Sequence, residues 1–287
     1  MFRSIGNTWE IMGECWRVLM KDKEILMFPL FSMVCCLLVM ASYVVPAYTT
    51  GYLELPEETA TTMDKVLYYG LMYTFYFVNF FVIVFFNVAI IACASLRMQG
   101  GDPTVRYGLQ VAMSKIHLIA GWALLAGSVG MILKMIEERS GFIGRIVTSI
   151  LGCLWALISF LAVPSMVIEH KGPVDAVKRS ASLLKDTWGN QIVGNFSFGV
   201  IFFLLAIPGI ALVVFGIVVG VGVVDEVVGQ VGMIASIAVG AIYLLVLMLT
   251  STAMQAIFQA ALFLHATEGE RPSGFDQSLL NNAIRVK

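Results

Sequence analysis

Amide side chains within long apolar runs are the residues of this sequence best placed to contact a solute. Asn79 and Asn87 share one face of a predicted helix, and Gln255 and Gln259 lie one turn apart on another. Uncharged amides can line the path of a small solute, and they can also join two helices through hydrogen bonds worth about 1 kcal/mol each. Both interpretations stay open for the whole set, which comprises Asn79, Asn87, Asn195, Gln255 and Gln259.

The other reactive side chains lack the spacing of a catalytic or metal site. HExxH, GxSxG and phosphate-loop motifs are absent from the sequence, and the 5 cysteines match neither a metal pattern nor a disulfide framework. His117, His170 and His265 are solitary in the sequence. No Asp, Glu, Lys or Arg falls at the centre of an apolar run, which argues against a proton-coupled pump. We therefore predict no catalytic residue, no bound metal, no cofactor and no enzymatic activity.

The composition is typical of a membrane protein. Of the 287 residues, 59% are hydrophobic and 13% are charged, whereas about 25% of the residues in a soluble protein are charged. Several apolar runs exceed the roughly 18 residues that indicate a membrane-spanning helix. We predict one all-α integral membrane domain over residues 1–287, with six transmembrane helices at about 25–48, 66–96, 116–136, 142–167, 192–219 and 231–264.

Three charged segments precede pairs of these spans, at residues 3–20, 103–116 and 173–188. Pro173 suits the first position of a helix in the third segment, and Gly189 is placed to end that helix. Lys and Arg lie between the apolar positions, so we predict amphipathic helices in the membrane interface. The apolar residues of the third segment recur at helical spacing and are Val174, Val177, Ala181, Leu184 and Trp188.

The distribution of basic residues predicts the orientation of the chain. Six spans place both termini on the same side. With this topology 14 of the 18 Lys and Arg residues fall on the side of the termini. Basic residues are enriched in cytoplasmic loops, so both termini and the three amphipathic helices are predicted to be cytoplasmic.

Two pairs of residues indicate close packing. Glu169 and Arg179 flank the break expected at Gly172 and could form an ion pair there, which we interpret as structural rather than as a binding site. Gly216 and Gly220 form a GxxxG motif, which lets two helices approach closely. The sequence does not distinguish a contact within the chain from a contact with another subunit.

Two stretches of the sequence match a pattern found in other membrane proteins. They comprise Trp16 to Leu30 and, in and before the third charged segment, Pro164, Val167, Glu169, Gly172, Pro173, Ala176, Arg179, Ser180, Leu184, Trp188 and Gly189. Through these residues the chain resembles prokaryotic six-helix membrane proteins, most of them uncharacterised, which look similar to the membrane domain that is fused to some glycerophosphodiester phosphodiesterases. The resemblance implies six helices in a prokaryotic cytoplasmic membrane. It implies no activity, because it does not extend to the domain that carries the catalytic residues of the phosphodiesterases.

Two functions are compatible with these features. The first is a scaffold or assembly subunit that forms homo-oligomers or binds a membrane protein partner, with basic segments that bind anionic lipid headgroups. The alternative is a channel or transporter for a small solute or lipid, lined by the Asn and Gln residues. We expect no nucleic-acid partner in either case.

Overall fold

The structure is a computed structural model that describes residues 2–49, 61–222 and 226–268. The side chains of Trp188 and Asn195, which belong to the predicted sites, lie outside the part of the chain whose side chains the structure describes. The other side chains outside the description belong to residues 2–10, 65, 69, 138–139, 142–143, 184–187, 189–194, 196–198, 219, 221–222, 226–228 and 268.

Every regular element in the described ranges is a helix. The helices are α1 (Phe2–Lys21), a short 3-10 helix (Lys23–Leu26), α2 (Met27–Thr49), α3 (Thr62–Met98), α4 (Val105–Ser114), α5 (Ile116–Arg139), α6 (Phe142–Ser159), α7 (Ala162–Ile168), α8 (Pro173–Gly222) and α9 (Glu226–Glu268). The prediction of an all-α fold is thus confirmed for the part of the chain that the structure describes.

Local sequence explains where several helices begin. Thr61 starts α3 with a capping box, in which its hydroxyl accepts a hydrogen bond from the Asp64 amide and the Asp64 carboxylate accepts one from the Thr61 amide. Thr104 caps α4 by accepting from the Tyr107 amide at 3.2 Å. Between these helices Gly100 has a φ of 88°, a conformation that costs glycine little and separates α3 from α4.

Six helical stretches within the described ranges are long and apolar enough to cross a membrane. This confirms the predicted number of spans at the level of length and composition. The chain therefore has the helices of a multi-pass membrane protein. The stretches are Lys23–Thr49, Thr62–Met98, Ile116–Glu137, Gly144–Ile168, Gly199–Val218 and Gly229–Thr267.

The fourth span is not the single helix that we predicted over 142–167. It divides into α6 and α7, with a break at Phe160 and Leu161. Proline has no amide hydrogen, and its ring clashes with the carbonyl four residues earlier. Pro164 therefore interrupts the hydrogen-bonding pattern at Phe160 and accounts for the division.

The predicted helix end at Gly189 is also wrong. α8 continues from Pro173 to Gly222, so the third charged segment and the fifth span form one helix. Glycine inside a helix costs about 1 kcal/mol relative to alanine. A break near the membrane leaves several backbone groups without hydrogen bonds, at several kcal/mol each, so a continuous helix is the less costly arrangement.

The buried core lies at one end of the spans, which we call the packed end. It comprises Phe202 and buried residues within 11–28, 84–98, 112–123, 161–183 and 253–264. Away from this end the spans are mostly exposed. Only 6% of the most apolar stretch of α9 and 11% of that of α8 is buried. Lipid tails solvate such surfaces as well as leucine side chains do.

α8 and α9 form a hairpin whose helices approach at glycines. A Cβ atom at Gly216 would lie 3.1 Å from the Met233 carbonyl oxygen, and one at Gly220 would lie 2.9 Å from the Met233 Cβ. On the facing helix, a Cβ at Gly240 would lie 2.8 Å from Val213 Cγ2. The predicted GxxxG contact is therefore made within the chain, between α8 and α9.

Candidate functional site

The amides predicted to contact a solute or to join helices lie along α3, α8 and α9. Asn79 Nδ2 donates to the Phe75 carbonyl at 2.9 Å, and Gln255 Nε2 donates to the Ser251 hydroxyl at 3.4 Å. Both hydrogen bonds stay within one helix, so they do not join α3 to α9. The other two described amides are partly buried, on helices that pack against each other, and are Asn87 in α3 and Gln259 in α9.

The predicted pair of Glu169 and Arg179 is present at the turn between α7 and α8. Arg179 Nε donates to both carboxylate oxygens of Glu169 at 3.0 and 3.2 Å, and Arg179 Nη2 lies 2.9 Å from Oε1. Lys171 Nζ lies 3.1 Å from Oε2 of the same carboxylate. Arg179 thus ties the end of α7 to the second turn of α8, and Lys171 adds an ion pair within the turn between the two helices.

The break before α8 differs in detail from the prediction. Pro173 is the first residue of α8, as predicted. A Cβ atom at Gly172 would have no neighbouring atom within 4 Å, and the φ of Gly172 is not positive, so the structure gives no steric reason for glycine there. Pro173 packs against α5, where a Cβ at Gly121 would lie 3.0 Å from Pro173 Cγ.

The buried face of α8 coincides only in part with the predicted apolar stripe, of which Val177 packs partly buried against the core. Val174 is 56% exposed, whereas Ala176, Ser180 and Leu183 are buried. Small residues allow α8 to lie close to the break between α6 and α7, where the Leu161 amide donates to the Ser180 hydroxyl at 3.0 Å. This hydrogen bond satisfies a backbone donor that the break leaves free, which explains why a serine is buried in place of a larger apolar residue.

A second ion-pair cluster at the packed end was not predicted. The Arg97 guanidinium at the end of α3 donates through Nε and Nη2 to the two carboxylate oxygens of Asp22, which is nearly buried. Arg97 Nη2 also lies 2.6 Å from the exposed Asp102 carboxylate. Nearby, the Val105 amide at the start of α4 donates to Glu24 at 3.0 Å. These contacts join the end of α1 to α3 and α4.

The third polar contact joins the start of α5 to the α7–α8 turn. Lys115 is only 6% exposed, and its ammonium group hydrogen bonds to Nδ1 of His170. Because a lysine ammonium can only donate, Nδ1 must be the unprotonated nitrogen of the ring. His170 has a φ of 56°, in the left-handed region that residues other than glycine occupy at some cost.

The surroundings lower the pKa of both Glu169 and Lys115, for opposite physical reasons. Partial burial alone would raise the pKa of Glu169, but hydrogen bonds and charge from Arg179 and Lys171 outweigh it and lower the pKa. Burial lowers the pKa of Lys115 because it disfavours the charged ammonium. The ion pairs thus stabilise the charged form of Glu169, whereas burial destabilises the charged form of Lys115.

The sequence contained a partial signal for the missed cluster. Asp22 precedes an apolar run and Arg97 ends another, and charged residues of membrane helices often pair with one another. The two residues are 75 positions apart, so the sequence could not match them.

The polar contacts of the packed end act between segments. They connect the α1–α2 junction, the α3–α4 loop, the start of α5 and the α7–α8 turn. In the described chain, the carboxylates of Asp22 and Glu169 are engaged by cations. Such an arrangement can hold helices together and can present charge at a surface.

Most of the chain matches one known protein family. Residues 66–275 match the model of a family of unknown function, DUF6159. The match covers most of the chain, which therefore belongs to this family. No curated protein matches the chain. The resemblance to the membrane domain of glycerophosphodiester phosphodiesterases stays a prediction.

Proposed function

We propose that the chain is a non-enzymatic subunit of a membrane assembly, in which its spans pack against copies of itself. The observation that carries this proposal is the small buried share of the spans away from the packed end, which is 6% in the apolar stretch of α9 and 11% in that of α8. Packing of such helices against protein gains van der Waals contacts that a fluid lipid provides less well. The large exposed side chains of α8 include Phe203 and Phe215.

The placement in the membrane is part of this proposal. The packed end is cytoplasmic, because it contains Arg97, Lys115, Lys171 and Arg179, which belong to the basic set of the side with both termini. α1 lies in the cytoplasmic interface of a prokaryotic inner membrane. Its exposed Trp16, beside basic residues, supports this because tryptophan favours the headgroup region.

Single-molecule photobleaching of a labelled chain in liposomes tests the assembly, at protein-to-lipid ratios low enough to prevent accidental co-occupancy. We expect more than one chain per particle. Phe203→Ala combined with Phe215→Ala should reduce the number of chains per particle without lowering the thermal stability of the monomer. Single chains at every protein density would refute self-assembly. Fusion of reporter domains to each terminus tests the orientation, and a periplasmic signal from either terminus would contradict it.

A channel or transporter is the second proposal. It is favoured by Asn87 and Gln259, which are partly buried on the packed pair α3 and α9. Proteoliposomes that contain the wild-type chain should then release a small neutral solute faster than empty liposomes. Asn87→Leu and Gln259→Leu should abolish the difference, and equal release from wild-type and empty liposomes would exclude a path for that solute.

A further inference from the structure

A nearly buried lysine at the packed end has no carboxylate partner among the described side chains. Lys115 hydrogen bonds to the imidazole of His170, which is a neutral acceptor in this contact. Burial of an ammonium group without an opposite charge costs several kcal/mol. An anion close to this ammonium group would offset the cost.

The residues around the contact add positive charge. The α7–α8 turn contributes Lys171 and Arg179, which share the single carboxylate of Glu169. Together with Lys115 the described group has three cations and one carboxylate, so it carries an excess of positive charge that a bound anion would balance.

Two helices also begin at this place. α5 starts directly after Lys115, which forms no side-chain cap, and α8 starts at Pro173, which packs against Gly121 in α5. The start of a helix carries a partial positive charge and free amide donors. The end of α4 at Ser114 offsets this charge at the start of α5, so the start of α8 is the helix end that favours the same sign of ligand as the buried ammonium group.

The imidazole supplies a further donor. Because Nδ1 of His170 accepts from Lys115, the proton of the neutral ring is on Nε2. His170 is exposed, so this N–H group is accessible from outside. Nε2 lies on the side of the ring away from Nδ1, so this N–H group points away from Lys115, whose ammonium group fixes the tautomer and adds positive charge behind the ring. An exposed imidazole N–H with cations nearby suits a ligand with several acceptor oxygens around one centre.

We infer that Lys115 and His170 form a binding site for a phosphate group, contributed by the headgroup of an anionic phospholipid. The inference rests on the membrane placement proposed above, which puts the packed end at the cytoplasmic headgroups. The site accounts for the burial of Lys115 and for the left-handed backbone of His170, which brings the ring to the lysine. At this site an anionic phospholipid would bind as a specific ligand, whereas elsewhere lipid only surrounds the apolar helices.

The test compares purified full-length protein in nanodiscs of phosphatidylglycerol and of phosphatidylcholine. Thermal unfolding gives the stability in each lipid, and native mass spectrometry gives the phosphatidylglycerol retained per chain. The variants are Lys115→Met, which keeps length without charge, and His170→Asn, which tolerates positive φ without the imidazole. The matched control is Lys178→Met, because Lys178 is an exposed lysine whose partner is Asp175 at 3.5 Å.

The wild type and Lys178→Met should unfold at a higher temperature in phosphatidylglycerol than in phosphatidylcholine. Both site variants should lose this difference and retain phosphatidylglycerol about tenfold more weakly, as expected for the loss of one hydrogen bond to a charged group. If Lys115→Met does not fold, His170→Asn and the wild type decide the outcome. An unchanged preference for phosphatidylglycerol in His170→Asn would overturn the inference.

Inorganic phosphate added to phosphatidylcholine nanodiscs distinguishes the source of the phosphate group. Stabilisation by inorganic phosphate alone would identify a soluble ligand and overturn the lipid assignment, while the phosphate site would stand. A wild type that responds to neither would overturn both. The number of chains per nanodisc is measured on the same samples, so a phosphatidylglycerol preference in single chains would refute the assembly proposal without affecting this site.

Discussion

Arg97→Ala should destabilise the protein by about 3–5 kcal/mol, because it leaves the Asp22 carboxylate without its partner. Asp22 is 7% exposed, so water cannot replace the two hydrogen bonds that the guanidinium donates. The contact with Asp102 contributes much less, since that side chain is 89% exposed and such pairs contribute about 0–1 kcal/mol. Asp102→Ala should therefore have little effect on stability.

The measurement is reversible unfolding of the purified protein in mixed micelles, for Arg97→Ala, Asp22→Ala and the double variant. Arg106→Ala is the control, because Arg106 is an exposed arginine on α4. The double variant should be less destabilised than the sum of the two single variants, since it removes both members of the pair. A loss of unfolding free energy in Arg97→Ala no larger than that in Arg106→Ala would refute the stabilising role of this ion pair. Losses in the two single variants that simply add in the double variant would refute it as well.

Three further predictions concern packing and pH. Gly220→Ile should lower stability by about 1–3 kcal/mol, because the larger side chain overpacks against Met233. Gly127→Ile is the control and should not lower stability in this way, because a Cβ at Gly127 has no atom within 4 Å. Thermal unfolding of the two variants measures the difference. The pKa of Glu169 is below its ordinary value of 4.5, so the stability that the ionised carboxylate contributes is present above pH 4.5 and is lost as the pH falls through the lowered pKa. Glu169→Gln should flatten this part of the profile of unfolding free energy against pH. An unchanged profile would contradict a stabilising role for the ion pair of Glu169 and Arg179. Gly108→Leu should abolish the yield of folded protein, because a Cβ there would lie 2.5 Å from Phe28 and 2.8 Å from the Cys93 sulfur. Gly172→Leu should be tolerated, because a Cβ there has no neighbouring atom within 4 Å. Equal amounts of folded protein from the two variants on size-exclusion chromatography would show that the close contacts around Gly108 do not limit folding.

Several features of the fold could be predicted because they depend on neighbouring residues. The length of each apolar run predicted six spans, and Pro173 predicted the start of α8. The pair of Glu169 and Arg179 was also predictable, since the residues are only 10 positions apart and flank one turn.

Other features depend on contacts between distant segments and could not be predicted. The predicted interfacial helix α1 buries Cys15 and Leu19 in the core of the packed end. The buried face of α8 follows from the broken backbone at Leu161, which requires Ser180 as a hydrogen-bond acceptor. Helical periodicity indicates that a face is apolar, but it does not identify the surface that covers it.

The amino-acid sequence by itself determined the helical class of the protein and the number of helices that are long and apolar enough to span a membrane, because these follow from the transfer of side chains between water and lipid. Only the tertiary structure decided that the spans are packed tightly at one end. It also decided that Asp22 meets Arg97 and that Lys115 meets His170. Transfer energies are properties of each residue alone, whereas ion pairs and close packing depend on which segments the chain brings together.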